Sequence, residues 1–220
     1  MRFNLLHPSN MPLILNVPYT EKDLAKSKGA FWSPQLKTWY LPDERYDLLS
    51  AVERWIPENG FNIILPGEII LAHAIRNCWN CGRANTVTAI GANSFYLKDG
   101  EGSSWEEIGF FTLFEGITLI SINLKTFLQN YYPDMRLAYS KTAEGYYWSN
   151  HCAACKKIQG DWFLFSEPGG AFSPISPEKA AEITLKSFTF QSSPMINGGF
   201  IMGDTMEFII DYAKWETPIN

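Results

Sequence analysis

The chain has 220 residues, 46% of them hydrophobic and 15% aromatic, which is enough apolar material for one large domain or two small ones. Its formal net charge of −5 argues against a protein whose affinity comes mainly from neutralising phosphates, although a local basic patch stays open. Pro8 and Pro12 interrupt any signal-peptide core, and no run of about 18 apolar residues could span a bilayer, so we expect a cytoplasmic, unanchored protein.

The first elements in chain order predict a small β-α-β-β-α domain. Thr20 and Asp23 resemble a capping box at the start of a helix, and Gly29 is placed to end that helix in the left-handed conformation. Pro34 begins a tight turn between two aromatic strands. The predicted elements are a strand (13–17), a helix (21–28), two strands (31–32 and 37–41) and a second helix (43–55).

A linker follows the second predicted helix. One face of that helix is apolar and carries Tyr46, Leu49, Val52 and Ile56. The run Pro57-Glu58-Asn59-Gly60 comes next and is typical of a connection between domains. We therefore predict a small N-terminal domain with an aromatic core over residues 1–57 and a second domain over residues 61–220.

The run LNVPYTEKDLAKSKGAFWSPQLKTWYLP resembles a small domain of unknown function found in bacterial plasmid, phage and conjugation-associated proteins. Some proteins with this domain are primase-like or antirestriction-like. The resemblance covers residues 13–42 and implies a bacterial or mobile-element origin, but no particular activity. The residues that carry it are Asn16, Val17, Pro18, Lys22, Ala25, Lys26, Gly29, Ala30, Trp32, Pro34, Lys37, Trp39, Tyr40 and Pro42.

The aromatic residues of this run have two interpretations. A domain of about 45 residues has little surface to bury, so Trp32 and Trp39 are expected to form its core. Alternatively, Lys37 and one exposed ring, Trp39 or Tyr40, form a stacking platform for a base or a sugar. Alternation along the strand puts Lys37 and Trp39 on one face and Tyr40 on the other. We expect a segment that is mainly core and presents one edge to a partner.

All four cysteines lie in two Cys-x-x-Cys pairs, Cys78 with Cys81 and Cys152 with Cys155. Each pair is typical of a turn that directs two thiolates at one tetrahedral cation. The 70 residues between the pairs do not prevent their meeting, because the entropy of loop closure grows only logarithmically with length. Gly82 suits the tight turn of a zinc knuckle. We predict one structural zinc ion held by the four cysteines.

Other uses of these cysteines stay open at this point. A disulfide or redox role would need a thiolate activated at a helix N-terminus, and the surrounding sequence predicts strands and turns instead. Two separate, incomplete metal sites are another alternative. His151 adjoins Cys152 and could replace a cysteine as a ligand. Because four thiolates already complete a tetrahedron, we expect the histidine instead to donate a hydrogen bond from outside the ligand set or to face solvent.

The remaining elements predict a β-rich domain with a few helices. The turn at Asn197-Gly198-Gly199 is predicted to precede a final helix whose one face carries Met206, Ile209, Ile210 and Ala213. The predicted strands are 86–90, 108–114, 137–139, 146–148 and 184–191, and the predicted helices are 123–131, 176–183 and 205–216. The fold class is therefore α+β, with the small N-terminal domain followed by a larger β-rich domain stapled by zinc.

We expect no enzymatic activity. The histidines are His7, His73 and His151, and the sequence contains no nucleophile elbow, phosphate-binding glycine loop or catalytic zinc motif. The acidic pair Glu106-Glu107 is predicted at a loop or strand edge. Asp204, three residues before Glu207, is predicted to cap the last helix.

Two functions from different classes remain. In the first, the chain is a non-enzymatic accessory protein whose acidic surface binds another protein. In the second, it is a nucleic-acid-associated factor that uses the N-terminal domain and the zinc ribbon. The second function predicts that Lys22, Lys26, Lys28 and Lys37 cluster on one face. The net acidity of the chain favours the first.

Overall fold

The computed structural model describes residues 11–57, 60–100 and 102–216, and it combines helices and strands as the sequence predicts. His7, Glu58 and Asn59 lie outside the described residues. In chain order the strands are β1 (Leu13–Leu15), β2 (Phe31–Ser33), β3 (Thr38–Leu41), β4 (Ile63–Ile64), β5 (Ile69–Asn77), β6 (Ala84–Ala92), β7 (Phe95–Leu97), β8 (Glu106–Ile108), β9 (Thr112–Ile120), β10 (Met135–Ser140), β11 (Gly145–His151), β12 (Ile158–Gln159), β13 (Thr184–Phe188), β14 (Met195–Phe200) and β15 (Lys214–Glu216). The helices are α1 (Lys22–Ser27), α2 (Leu49–Val52), α3 (Ile122–Tyr131), α4 (Pro177–Ala180) and α5 (Asp204–Tyr212).

The N-terminal part contains a three-stranded antiparallel sheet in the order β1-β3-β2. The predicted β-α-β-β-α arrangement is confirmed, but residues 43–55 do not form one continuous helix. Two 3-10 segments, Asp43–Leu48 and Glu53–Trp55, flank the single turn α2. The buried side chains recur every third residue, which fits the period of a 3-10 helix better than that of an α-helix. They are Tyr46, Leu49, Val52 and Trp55.

Helix α1 begins without the predicted side-chain cap and ends at the predicted glycine. Among the described residues, no side chain caps α1, so the predicted capping box at Thr20 and Asp23 is wrong. The preceding residue Glu21 lies in a 3-10 turn, and its carboxylate accepts hydrogen bonds from Arg54 and from the Trp55 indole. Gly29 has φ +97° and ends the helix as predicted.

The two tryptophans of the small sheet have different environments. Trp39 is 8% exposed on the central strand β3, as its predicted core role requires, whereas Trp32 is 45% exposed. The prediction that Trp32 belongs to the core is therefore wrong. Trp32 is paired with Trp39, and the ring centroids are 5.6 Å apart, but β2 is the edge strand. Within the described residues, no strand pairs with the outer edge of β2.

A nine-stranded sheet forms the larger part of the chain, in the order β15-β13-β5-β6-β9-β14-β4-β7-β8. Neighbouring strands are antiparallel except β13 and β15. Both faces are covered: Ile69 and Leu71 pack into one core cluster with α3 and β11, and Ile70 and Ala72 pack into a second cluster with α5. A separate sheet, β10-β11-β12, carries the segment before and after the second cysteine pair.

Several predicted boundaries in this part are corrected by the structure. Asn197-Gly198-Gly199 is not a turn but a bulged stretch of β14, where a Cβ on Gly198 would lie 3.0 Å from the Glu115 carbonyl oxygen of β9. Asp204 does not cap α5, because Gly203, with φ +115°, is the N-cap residue. The predicted strand 108–114 spans the end of β8 and the start of β9, and the predicted helix 205–216 ends at Tyr212, before β15.

The N-terminal part packs directly on the larger sheet. Its core cluster also contains Phe61, Ile64 and Met195, which belong to the chain after residue 57. The buried Tyr46 hydroxyl contacts the Met11 carbonyl at 3.0 Å and Ser193 Oγ at 2.7 Å. The boundary at residues 57–61 stays a prediction, and the two parts share one continuous core.

The contrast between Trp39 and Trp32 gives a stability prediction. Trp39→Ala removes a buried ring from the central strand and is expected to lower the free energy of unfolding by about 3–5 kcal/mol. Trp32→Ala removes a half-exposed ring and is expected to cost about 1 kcal/mol, mainly through the lost ring contact with Trp39. Urea denaturation of the full chain measures both. Equal losses for the two variants would contradict the edge position of Trp32.

Candidate metal centre and adjacent cleft

The two cysteine pairs occupy equivalent turns at the ends of two hairpins. Cys78 and Cys81 lie in the turn between β5 and β6, and Cys152 and Cys155 lie in the turn between β11 and β12. In each turn the first cysteine donates its N–H to the carbonyl five residues later, at 2.8 Å and 2.9 Å. The residue after the second cysteine donates back to the first cysteine's carbonyl, at 2.9 Å in both turns. That residue has positive φ in both turns, and in the first it is Gly82, as predicted.

The two turns bring all four sulfur atoms together. Every pair of Sγ atoms lies within 4.8 Å, and the Cys78–Cys155 and Cys81–Cys152 distances are 3.6 Å and 3.7 Å. Thiolates placed about 2.3 Å from one tetrahedral ion are about 3.8 Å apart. The four cysteines therefore fit a single metal ion, and the alternative of two separate, incomplete sites does not match this geometry.

Three buried amides position the second hairpin against the first. Asn150 on β11 accepts the Thr88 N–H and donates to the Thr88 carbonyl, at 2.7 Å and 2.9 Å. Asn85 on β6 accepts the Ala153 N–H at 3.0 Å. Gln159 directs its Nε2 at Cys78 Sγ, 3.5 Å away. These contacts connect the two turns through protein groups, in addition to the sulfur cluster.

The thiol pKa values shift in opposite directions within the cluster: against the lowering effect of the Arg83 N–H, burial and the neighbouring thiols raise the pKa of Cys81 to about 11, whereas the pKa values of Cys78 and Cys155 are lowered. Removal from water, which would raise the pKa of Cys78, is outweighed by the N–H groups of Cys81 and Asn80, and the pKa falls to about 6. The Lys157 N–H likewise lowers the pKa of Cys155. Backbone donors thus stabilise thiolates at the centre of the cluster, and a metal ion would displace the remaining thiol protons.

His151 is buried and is not a member of the sulfur cluster. Its Nδ1 lies 3.0 Å from the Ser149 carbonyl oxygen, and burial followed by the nearby Arg136 charge lowers its pKa. The histidine is therefore buried outside the four-sulfur cluster, and it also lines a cleft beside the two turns. It is the last residue of β11, directly before the second turn.

A cleft of about 840 Å³ opens beside the two turns. Its walls carry four cationic side chains and a single carboxylate, although the chain as a whole is acidic. They also carry several rings that remain largely in solvent. We name this the knuckle cleft, and its charged and aromatic lining residues are Arg136, Lys141, Lys156, Lys157, Asp161, Trp79, Tyr139, Tyr147, His151, Trp162 and Phe163.

Sequence reasoning missed the knuckle cleft. The available signal is Lys156-Lys157 directly after the second cysteine pair, followed at short range by Trp162-Phe163. A second wall comes from β10, which carries Arg136. Only the fold brings these segments together, because the β10–β11 hairpin must first lie beside the β5–β6 turn.

Asp161 is the carboxylate of the knuckle cleft and precedes a single π-helical turn, Trp162–Ser166. Its Oδ2 accepts the Gly116 N–H at 3.0 Å. Burial raises the pKa of Asp161 to about 7, and the nearby Glu115 adds to the shift against the opposing effect of the Gly116 N–H. When Asp161 is protonated below that pH, the four cations are the charged groups that remain on the cleft lining.

The predicted binding residues of the N-terminal part lie on different surfaces. Trp39 is buried, Lys37 lies in the turn before β3 with φ +51°, and Tyr40 points to the opposite side of the sheet from Trp39. Lys37 therefore does not belong to the strand, and its predicted place on the Trp39 face is wrong. A binding role for these three residues stays a prediction.

Tyr40 lines a groove of about 410 Å³ on the outer face of the small sheet. We name this the outer groove. Ile14 of β1 and Leu36 of the β2–β3 turn lie beside Tyr40, and Asp43 and Glu44 supply carboxylates at its margin. Burial and the adjacent Glu44 raise the pKa of Asp43. The groove thus combines apolar side chains with polar ones and carries two carboxylates.

The acidic pairs considered at the sequence level are separated from both sites. Glu106 and Glu107 lie on the edge strand β8, and Asp204 and Glu207 lie in the first turn of α5. None of these four lines the knuckle cleft or the outer groove. Among the helices of the described residues, none is long and apolar enough to cross a membrane.

Comparison with known proteins extends to the N-terminal part alone. Residues 13–57 match a domain of unknown function (DUF5710), which agrees with the resemblance seen in the sequence over residues 13–42. No match was found among curated proteins or among solved structures. The four-cysteine centre is therefore supported by geometry and not by a related family.

Asp161 gives a pH prediction with a defined sign. In the folded chain the Asp161 carboxyl keeps its proton up to about pH 7, whereas in the unfolded chain it releases the proton at about pH 4. Stability from this group therefore decreases as pH rises from about 4 to about 7. Asp161→Asn is expected to remove that slope, because the amide oxygen can still accept the Gly116 N–H without ionising.

Denaturation at several pH values gives the free energy of unfolding of the wild type and of the variant. The difference between the two free energies cancels the contributions of all other groups. Asp211→Asn, on the exposed side of α5, is the control and should keep the wild-type slope. Identical pH profiles for wild type and Asp161→Asn would contradict the buried position of this carboxyl.

Proposed function

We propose that the chain is a non-enzymatic, zinc-containing binding protein whose N-terminal part binds another protein. The observation that carries the proposal is the outer groove, a partly apolar surface lined by side chains of a small antiparallel sheet and the turns beside it. The mobile-element or bacterial origin implied by the N-terminal resemblance belongs to the same proposal.

The chemistry of the cysteine cluster supports zinc. Four thiolates in a tetrahedral arrangement favour zinc over magnesium or calcium, which prefer oxygen ligands. A catalytic zinc site keeps one position open for water or substrate, whereas four cysteines fill all positions. The role of the ion is therefore structural, and it joins two hairpins that are far apart in the sequence.

The outer groove supports a protein partner. An antiparallel sheet with one solvated face usually carries polar side chains there, yet this face presents Ile14, Phe31 and Tyr40. Phe31 is 44% exposed and lies against Tyr40, with ring centroids 6.0 Å apart. Such exposed apolar side chains on a small sheet are typical of an interaction surface.

The charge at the margin of the groove selects the partner. Asp43 and Glu44 repel phosphates, so the outer groove suits a cationic, partly apolar protein segment and not a nucleic acid. Tyr40 supplies the ring that anchors such a segment, and Leu36, which is 66% exposed, extends the apolar contact. This argument favours the protein-binding function for the N-terminal part.

The zinc proposal predicts close to one zinc ion per purified chain, measured by elemental analysis. Cys78→Ser is expected to lose the metal and to unfold much of the larger part, because metal binding and folding are coupled in such sites. Ala154→Ser, in the second turn, adds a hydroxyl without removing a thiol and should keep both metal and fold. A folded, metal-free wild-type protein with four reactive thiols would sink the proposal.

The partner proposal predicts that Leu36→Ala combined with Tyr40→Ala weakens protein capture at least tenfold while the chain stays folded. The assay is a pull-down from a nuclease-treated lysate of the cells that encode the protein, with captured proteins quantified by mass spectrometry. Lys37→Ala, in the β2–β3 turn next to Leu36, tests the lysine that the sequence predicts as a binding residue. Ile175→Ala, at a 68% exposed position away from the groove, is the control.

Asp43→Asn with Glu44→Gln tests the charge separately. Captured proteins should be fewer and less basic than those bound by wild type. If wild type and the Leu36/Tyr40 variant capture the same proteins in the same amounts, the outer groove is not the binding surface.

A further inference from the structure

We propose that the knuckle cleft binds single-stranded nucleic acid. The site is separate from the outer groove and rests on different residues, so it adds a second binding activity to the protein. It also places that activity beside the metal centre, and not on the N-terminal lysines that the sequence suggested.

The first support is a local reversal of charge. Arg136, Lys141, Lys156 and Lys157 line the knuckle cleft, and Asp161 is the single carboxylate among its lining residues. Of the ion pairs in the described part of the chain, only that of Lys156 with Asp134, at 3.3 Å, involves a cation of this cleft. The other three cations are thus available to phosphates in a protein with a net charge of −5.

The second support is the exposure of the rings. Trp79 is 68% exposed, Trp162 59% and Phe163 57%, and Tyr139 on the opposite wall is 50% exposed. Rings of this size are normally buried in a core or used in recognition. Proteins stack bases and follow a phosphate backbone with exposed rings and cations that line one groove, and the knuckle cleft contains both.

The shape favours single strands over a duplex. In a duplex the base faces are stacked on one another and are unavailable to tryptophan or phenylalanine. A cleft of about 840 Å³ accepts a few splayed bases, not the rigid cylinder of a double helix. An acidic peptide would satisfy the cations but would leave the aromatic faces unused.

The metal centre positions both walls of the cleft. Trp79 lies between Cys78 and Cys81, and its Nε1–H donates to the Ile158 carbonyl oxygen at 2.7 Å, which crosses from one hairpin to the other. Lys156 and Lys157 follow Cys155 directly. Metal binding therefore fixes a ring and two cations relative to each other, which preorganises the cleft.

Fluorescence anisotropy with labelled dT20 and U20 tests the proposal on the full, zinc-loaded chain. Both single strands are expected to bind, with affinity that falls as salt rises. A preference between the two probes identifies DNA or RNA as the natural ligand class. A duplex of the same length is expected to bind at least tenfold more weakly.

Matched variants separate stacking from charge. Trp162→Ala with Phe163→Ala should weaken dT20 binding at least tenfold, whereas Tyr131→Ala, which removes a 70% exposed ring outside the cleft, should not. Lys141→Ala and Lys157→Ala should each reduce the salt dependence by about 0.7 in logarithmic slope, and Lys125→Ala on α3 should leave it unchanged. Circular dichroism and zinc content confirm that each variant is folded.

Three results would overturn the proposal. One is the absence of binding to both single strands at low salt. Another is equal affinity for the duplex together with wild-type affinity in the Trp162/Phe163 variant. The third is competition by polyglutamate as strong as that by unlabelled dT20, which would assign the cleft to an acidic protein.

Discussion

Two hairpin ends meet at the four sulfurs, and the arrangement of the larger part of the chain follows from that contact. The β5–β6 hairpin forms the third and fourth strands of the nine-stranded sheet, while β10, β11 and β12 form a separate sheet. The side-chain amides of Asn150 and Asn85 join the second layer to β6 by hydrogen bonds to backbone groups, and the cysteine turns join the hairpin ends. Without this contact, the walls of the knuckle cleft would have no fixed separation.

Local patterns in the sequence predict the parts of this structure that are determined locally. The spacing of the cysteines, the positive φ at Gly29 and Gly82, and the alternation of Trp39 and Tyr40 each depend on a few neighbouring residues. The same reasoning fails where the outcome depends on a distant partner. Trp32 has the composition of a core residue, but its exposure is set by the edge position of its strand.

In the large sheet, two further features depend on distant strands and could not be predicted from local sequence patterns. The run of β5 is apolar on both faces, so it lacks the alternation that identifies a strand, and it was not predicted. The glycines of β14 are typical of a turn, but they permit close approach to β9 instead. The cysteine cluster could be predicted because its chemistry is encoded in residue type, whereas the cleft beside it depends on packing between layers.

The two cysteine turns have the same hydrogen bonds but differ at the residue that adopts positive φ, Gly82 in one and Lys156 in the other. The left-handed conformation costs a lysine about 1 kcal/mol more than a glycine, so the second turn is less stable than it could be. A glycine there would relieve the strain but would remove one cation from the cleft. Selection for a robust fold and selection for surface charge therefore act in opposite directions at this one position.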